Sequence, residues 1–250
     1  MSTSMKSWLT NRHSILIMLL SALSSPALAQ SPATKPDQIS VSTASTPGQA
    51  NLIDVATLIA DAQLEIRYAG QHNFVGRPVD GYQAAKCYLL APAATALAGA
   101  ANELRGQQLR LRLFDCYRPV RAVKDFVSWA HDLSDQKTKP EFYPRLRKSQ
   151  LLDGYIAESS GHSRGATVDL SLDDCSTGQC IPLDMGTGFD LFDTLANTDD
   201  PRITAQQREN RQRLLQAMQK HGFANYPLEW WHYTLKPEPT PDTAYDVPVR

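Results

Sequence analysis

The sequence predicts an α+β fold: a single domain spanning residues 51–250, with a mainly antiparallel central sheet flanked by helices. Three observations carry this. Leu109-Arg110-Leu111-Arg112-Leu113 and Ala166-Thr167-Val168-Asp169-Leu170-Ser171-Leu172 alternate apolar and polar residues, the period of half-buried strands. Ala91–Leu104, Val120–Leu133 and Ala205–His221 read as helices between and after them. The two kinds of segment follow one another irregularly, without the regular strand–helix–strand repetition of a doubly wound fold.

The N-terminus precedes this domain. Lys6 and Arg12 are followed by a short apolar run, Ile15 to Leu23, and by Ala27-Leu28-Ala29. That order predicts a secretory signal peptide over residues 1–29, cut after Ala29. The apolar run is well short of the ~20 residues a membrane span needs, so no stable anchor is expected after cleavage. The chain is then expected to be periplasmic or secreted. Residues 30–50 are rich in Ser, Thr, Pro, Ala and Gln and poor in large apolar side chains, which predicts a disordered tether. The formal net charge is −1, and no basic tract invites nucleic acid. Nothing in the sequence specifies an oligomeric state.

Within the domain, Ala91–Leu104 is alanine-rich. The strand at Leu109 runs on into Phe114-Asp115-Cys116-Tyr117-Arg118-Pro119. Pro119 should end it and open the next helix at its first position. Ala205–His221 carries Leu214, Leu215 and Met218 on one face, and Gly222 caps it. Leu228–Leu235 is aromatic and reads as a last strand.

Four cysteines are present, at 87, 116, 175 and 180. In an exported chain they can persist as disulfides. Cys175 and Cys180 flank Ser-Thr-Gly-Gln, a turn-like loop they could staple, which would leave Cys87 for Cys116. Four cysteines allow three pairings, and the sequence does not choose among them. A four-cysteine zinc site is the rival, disfavoured because no C-x2-C pair occurs. The same absence argues against a thiol–disulfide enzyme.

The stretch from Ser159 to Leu172, SSGHSRGATVDLSL, holds two metal-ligand types, His162 and Asp169, seven residues apart. On a helix they would be separated by about 10 Å of rise. On a flat strand they would point to opposite faces. They converge only if the chain turns between them, and Gly165 permits a turn. Of the other histidines, His13 leaves with the signal, His131 and His221 lie in polar helices, and His72 lies in a loop. His232 stands beside two tryptophans, three residues after Glu229. Two histidines and a carboxylate make a three-ligand zinc set with a fourth position open for water. Glu229 could accept the proton of that water, and Arg118, before a proline at a strand end, could face a developing oxyanion. A surface arginine in a turn is the plainer reading of Arg118.

His162–Asp169, Glu229-Trp230-Trp231-His232 and Tyr117-Arg118-Pro119 resemble the signature segments of the zinc D-alanyl-D-alanine dipeptidases, the vancomycin-resistance type within the wider D,D-peptidase family. The resemblance extends through Arg67-Tyr68-Ala69, Asn73–Val79, Glu141–Pro144, Met185–Asp190 and Pro241–Asp246, nearly the whole chain from residue 51 onward. It implies the D,D-peptidase/Hedgehog-like zinc peptidase fold. It also implies one Zn2+ on His162, Asp169 and His232, Glu229 as base, Arg118 as the transition-state arginine, and Asp190 as receptor of the substrate ammonium. Ser160 and Tyr68 match substrate-pocket positions. The implied substrate is a small D,D-dipeptide, cleaved to two D-alanines during wall-peptide turnover. Two alternatives stand beside it: a D,D-carboxypeptidase trimming wall stem peptides, and a non-catalytic zinc-containing wall-binding module.

Overall fold

The computed structural model describes residues 39–250. The expected signal peptide at 1–29 and residues 30–38 of the expected tether lie outside the described residues. In chain order the strands are β1 (Ser40–Val41), β2 (Leu52–Asp54), β3 (Gln63–Leu64), β4 (Tyr88–Leu90), β5 (Leu109–Asp115), β6 (Thr167–Asp174), β7 (Ile181–Pro182), β8 (Phe223–Asn225), β9 (His232–Leu235) and β10 (Thr243–Ala244). The α-helices are α1 (Ala91–Arg105), α2 (Val120–His131), α3 (Lys139–Phe142) and α4 (Ala205–Lys220).

The main sheet runs β3-β5-β6-β9-β8, with β7 also on β6. Alternation places it. Leu109, Leu111 and Leu113 of β5 are at most 2 % exposed, and Leu170 and Leu172 of β6 pair opposite Leu113 and Leu111. That apolar face packs under α1 and α4. The opposite face carries Arg112, clamped between Asp173 and Glu65, and continues through Ser171 to Asp169. Two candidate site residues, Asp169 and its cross-strand partner His232, lie on this second face. Pairings β5–β6, β6–β9, β6–β7 and β8–β9 are antiparallel, whereas β3 joins β5 in parallel. Four of the five pairings are thus antiparallel, as expected, and only the two-residue edge strand β3 departs from the pattern.

Three boundaries differ from the sequence reading. Residues 39–50 are structured, not a tether: β1 pairs in parallel with β10, and Ala50 is buried. Pro119 is the cap residue before α2, not its first helical position, and α2 ends at His131. The strand expected at Leu228–Leu235, β9, starts only at His232, because Leu228–Trp231 forms a turn, and β10 follows it. Two disulfides are present, Cys87–Cys116 and Cys175–Cys180. Among the described residues, no helix is long and apolar enough to cross a membrane.

Candidate active site

Residues Gly161–Arg164 make one turn of 3-10 helix. Ser160 caps it, its Oγ accepting from the His162 N–H at 3.2 Å. Gly165 ends it at φ 75°, where a Cβ would lie 3.0 Å from Leu90 Cγ. This left-handed turn swings His162 back toward the strand that follows. Asp169 sits on β6 directly opposite His232 on β9, so both side chains leave one face of the sheet. His162 Nε2 lies 3.3 Å from Asp169 Oδ2 and 3.3 Å from His232 Nδ1. His232 Nδ1 lies 3.0 Å from Asp169 Oδ1. One donor atom from each of the three falls within 4.8 Å of the others.

The donor set fits a metal ion. His162 Nδ1 donates to the Cys116 carbonyl at 2.7 Å, which leaves Nε2 as the lone pair facing the cluster. Asp169 Oδ1 is buried and, despite the close approach of His232, has no hydrogen-bond partner. Leaving such an acceptor unsatisfied costs about 1–3 kcal/mol or more, so the site demands an electropositive centre. Two imidazole nitrogens and a carboxylate oxygen suit a divalent transition metal with a free coordination position. Electrostatics show that the same spot attracts positive charge. Burial opposes ionisation of Asp169, but the two imidazoles outweigh it and hold the carboxyl well below the usual range. Burial likewise opposes charging of His232, yet Asp169 raises that imidazole.

Arg118 is aimed into this cluster by a device the sequence does not announce. The register between β5 and β6 shifts between Leu113 and Asp115, placing Asp115 opposite Asp169. A bulge of this kind re-aims the side chains beyond it. Asp115, wholly buried, accepts from Arg118 Nε at 2.9 Å on Oδ2 and from the Tyr82 hydroxyl at 2.5 Å on Oδ1. The guanidinium lies over the rings of Tyr68 and Phe126, at 5.2 and 5.0 Å from their centroids. Its Nη2 is 3.7 Å from Asp169 Oδ2, and Nη1 is 3.5 Å from Ser160 Oγ. Arg118 is thus an inward-facing cation and not a surface arginine.

Glu229 lies on the turn before β9. Its N–H donates to Tyr226 O, the Tyr226 N–H donates to His232 O, and Asn225 Nδ2 donates to both Glu229 O and His232 O. These bonds bring Glu229 Oε2 to 3.4 Å from His232 Nδ1. Burial raises the Glu229 carboxyl above its ordinary value, with His232 opposing. That direction suits a proton acceptor working near neutral pH.

Asp190 adopts φ 61°, a conformation costly for a residue with a Cβ. Its Oδ2 accepts from the Tyr68 hydroxyl at 2.8 Å. Burial, and then the nearby Asp169, push its carboxyl far above the usual range. A carboxyl so placed gains by meeting a cation. Tyr68, Arg118, Ser160, His162, Asp169, Asp190, Glu229 and His232 all line one cavity of about 280 Å³.

The family described as D-ala-D-ala dipeptidase has a sequence model that matches residues 48–250. The chain belongs to the D-ala-D-ala dipeptidase family. A D-alanyl-D-alanine dipeptidase of Streptomyces coelicolor is 41 % identical over 196 residues, covering 78 % of this chain and 96 % of that protein. One from Enterococcus faecium is 37 % identical over 194 residues, 77 % of this chain and 95 % of that protein. One from Escherichia coli is 32 % identical over 184 residues, 74 % of this chain and 84 % of that protein.

Within this D-ala-D-ala dipeptidase family domain, the structure adds residues that sequence reasoning missed. Asp115 holds Arg118, and its only sequence signal is an acid three residues before the arginine. Arg211 of α4 is wholly buried and donates to the carbonyls of Met185, Leu195, Asn197 and Thr198. It braces the segment that carries Asp190. It also lies 5.8 Å from the ring centroid of Trp230, whose indole N–H donates to Thr187 Oγ1. In the sequence Arg211 reads as one more polar residue of a charged helix.

Proposed function

We propose that the chain is an exported zinc peptidase that hydrolyses D-alanyl-D-alanine to two D-alanines, acting on dipeptide freed by cell-wall turnover. One observation carries this reading. The His162–Asp169–His232 cluster opens onto the same cavity as an acid–base candidate, Glu229, an inward cation, Arg118, and a buried carboxyl, Asp190. The relatives named as D-alanyl-D-alanine dipeptidases support the substrate, and the signal-like N-terminus supports export.

A zinc ion held by His162, Asp169 and His232 supplies Lewis acidity and a water of lowered pKa. Glu229 accepts the proton of the attacking water and delivers it to the leaving amine. Arg118, locked by Asp115, faces the oxyanion that develops at the scissile carbonyl. Asp190, oriented by Tyr68, receives the free ammonium of the dipeptide. Asp190 also favours the dipeptidase over a D,D-carboxypeptidase. A stem peptide carries an amide where the dipeptide carries an ammonium, and it would offer the buried Asp190 carboxyl no cation to ionise against.

Purified protein should release D-alanine from D-Ala-D-Ala, lose that activity to a zinc chelator and regain it with zinc. It should turn over the L,L isomer and a D-Ala-D-Ala-terminated pentapeptide far more slowly. Equal rates on the pentapeptide would transfer the assignment to the carboxypeptidase.

A further inference from the structure

We propose that the Cys87–Cys116 disulfide is a positioning element of the metal site, fixing the backbone that orients His162. The proposal rests on the metal-binding reading of His162, Asp169 and His232. Cys116 follows Asp115, the last residue of β5. Its carbonyl oxygen is the acceptor for His162 Nδ1 at 2.7 Å, the bond that keeps Nε2 free to act as a ligand. Asp115 Oδ2 lies 3.5 Å from the same Nδ1. The chain from Asp115 to Arg118 therefore presents the carbonyl that orients one ligand, the carboxylate beside it and the arginine that faces the substrate.

This chain lies where the ladder of β5 stops, since the last β5–β6 pair is Asp115 with Asp169. Beyond it, the Tyr117 N–H donates to Tyr88 O, and the Arg118 N–H reaches His162 O at 3.3 Å. The disulfide supplies the covalent tie. Both half-cystines are at most 1 % exposed, and the bond joins Cys116 to Cys87, the residue before β4. The Leu90 N–H of that strand donates to the Gly165 carbonyl, at the turn behind His162. The bond thus ties together the two backbone segments that flank His162. The other disulfide, Cys175–Cys180, closes a short loop with an exposed half-cystine, and neither of its cysteines lines the cavity.

The two disulfides therefore make an internal comparison. In Cys87→Ala/Cys116→Ala, zinc affinity should fall ten- to a hundredfold, the usual effect of disturbing an outer-shell partner. In Cys175→Ala/Cys180→Ala it should stay within twofold of the parent. Affinity is read by competition with a chromophoric chelator, below the unfolding transition of every variant. A disulfide that only stabilised the fold would lower the melting temperature and leave the zinc affinity of the folded protein alone. Affinity within twofold of the parent in the first variant overturns the proposal. Failure of the parent itself to bind zinc overturns the metal reading instead, and this inference with it.

If the first double variant does not fold, the unaltered protein answers. Coupling is reciprocal, so bound zinc must protect the bond that helps to hold it. The protein is equilibrated with reduced and oxidised glutathione, with and without zinc, and free thiols are counted by alkylation. Two glutathione thiols are oxidised to one glutathione disulfide for each protein disulfide reduced to two thiols. Zinc should shift the equilibrium at Cys87–Cys116 toward the disulfide by tenfold or more, and leave Cys175–Cys180 unmoved. Equal reduction of Cys87–Cys116 with and without zinc overturns the proposal.

Discussion

Asp169 and His232 are direct cross-strand partners on β6 and β9, and Asp169 Oδ1 lies 3.0 Å from His232 Nδ1 without a hydrogen bond between them. Register alone brings together two residues from distant parts of the chain. A one-residue slip would turn one side chain to the other face. Asp169→Asn keeps the size and the register but removes the charge. Its zinc affinity should fall by at least the 10–100-fold typical of outer-shell changes, because a proposed direct ligand loses its charge. Chelator competition measures this, and an unchanged dissociation constant would remove Asp169 from the metal site.

Glu229→Gln separates binding from chemistry. The turn is held by backbone bonds and by Asn225, neither of which the substitution touches. Zinc content and melting temperature should match the parent, while kcat on D-Ala-D-Ala falls about 10²–10⁴-fold. Retained turnover would mean that another group accepts the proton.

Asp190→Asn tests the proposed ammonium clamp. Tyr68 can still donate to the amide oxygen, so local structure should survive. KM for D-Ala-D-Ala should rise by roughly tenfold or more, the loss of a charge-assisted contact, with a smaller change in kcat. Discrimination against N-acetylated dipeptide should weaken in step. A fall in kcat at constant KM would place Asp190 in the chemical step instead.

Much of this site is legible in the sequence, and what escapes it has a physical reason. His162, Asp169, Glu229 and His232 announce themselves by residue type and by a glycine placed where a turn is needed. Their convergence depends on the β6–β9 register, which no local pattern encodes. Leu228–Trp231 reads as strand because tryptophan favours strands, but Asn225 supplies side-chain bonds that stabilise a turn there. Ser40–Ser42 reads as tether because its composition is largely polar, yet the Ser40 and Ser42 N–H groups donate to the Asp242 and Ala244 carbonyls, far along the chain. Asp115 and Arg211 look like ordinary charged residues, since a bulge and a cluster of distant carbonyls give them their roles.

Arg211→Met probes the brace behind Asp190. Burial pulls the guanidinium down to about 10, so it remains charged at neutral pH. No carboxylate bonds it directly among the described residues; the four carbonyls do. Methionine fills part of the volume and leaves those acceptors without a donor. The expected loss is about 3–5 kcal/mol of unfolding free energy, read from urea midpoints. A loss under about 1 kcal/mol would mean that water replaces the guanidinium at no penalty.

Asp125→Asn should change how stability depends on pH. Arg77 donates two hydrogen bonds to the Asp125 carboxylate, at 2.8 and 2.7 Å, and the Asp80 N–H adds a third at 2.9 Å. The bonds from Arg77 hold the carboxyl below its ordinary value, with burial opposing. A folded value below the unfolded one stabilises the protein above the unfolded value of about 3.9. That contribution is lost as pH falls through the folded value. The asparagine cannot titrate, so at pH 7 the variant should be less stable by about 1 kcal/mol. The gap should close as the pH is lowered from about 5 toward 3, where the parent loses the same interaction. Denaturation midpoints across that range measure it, and a constant gap would mean that the Arg77 pair contributes packing and not charge.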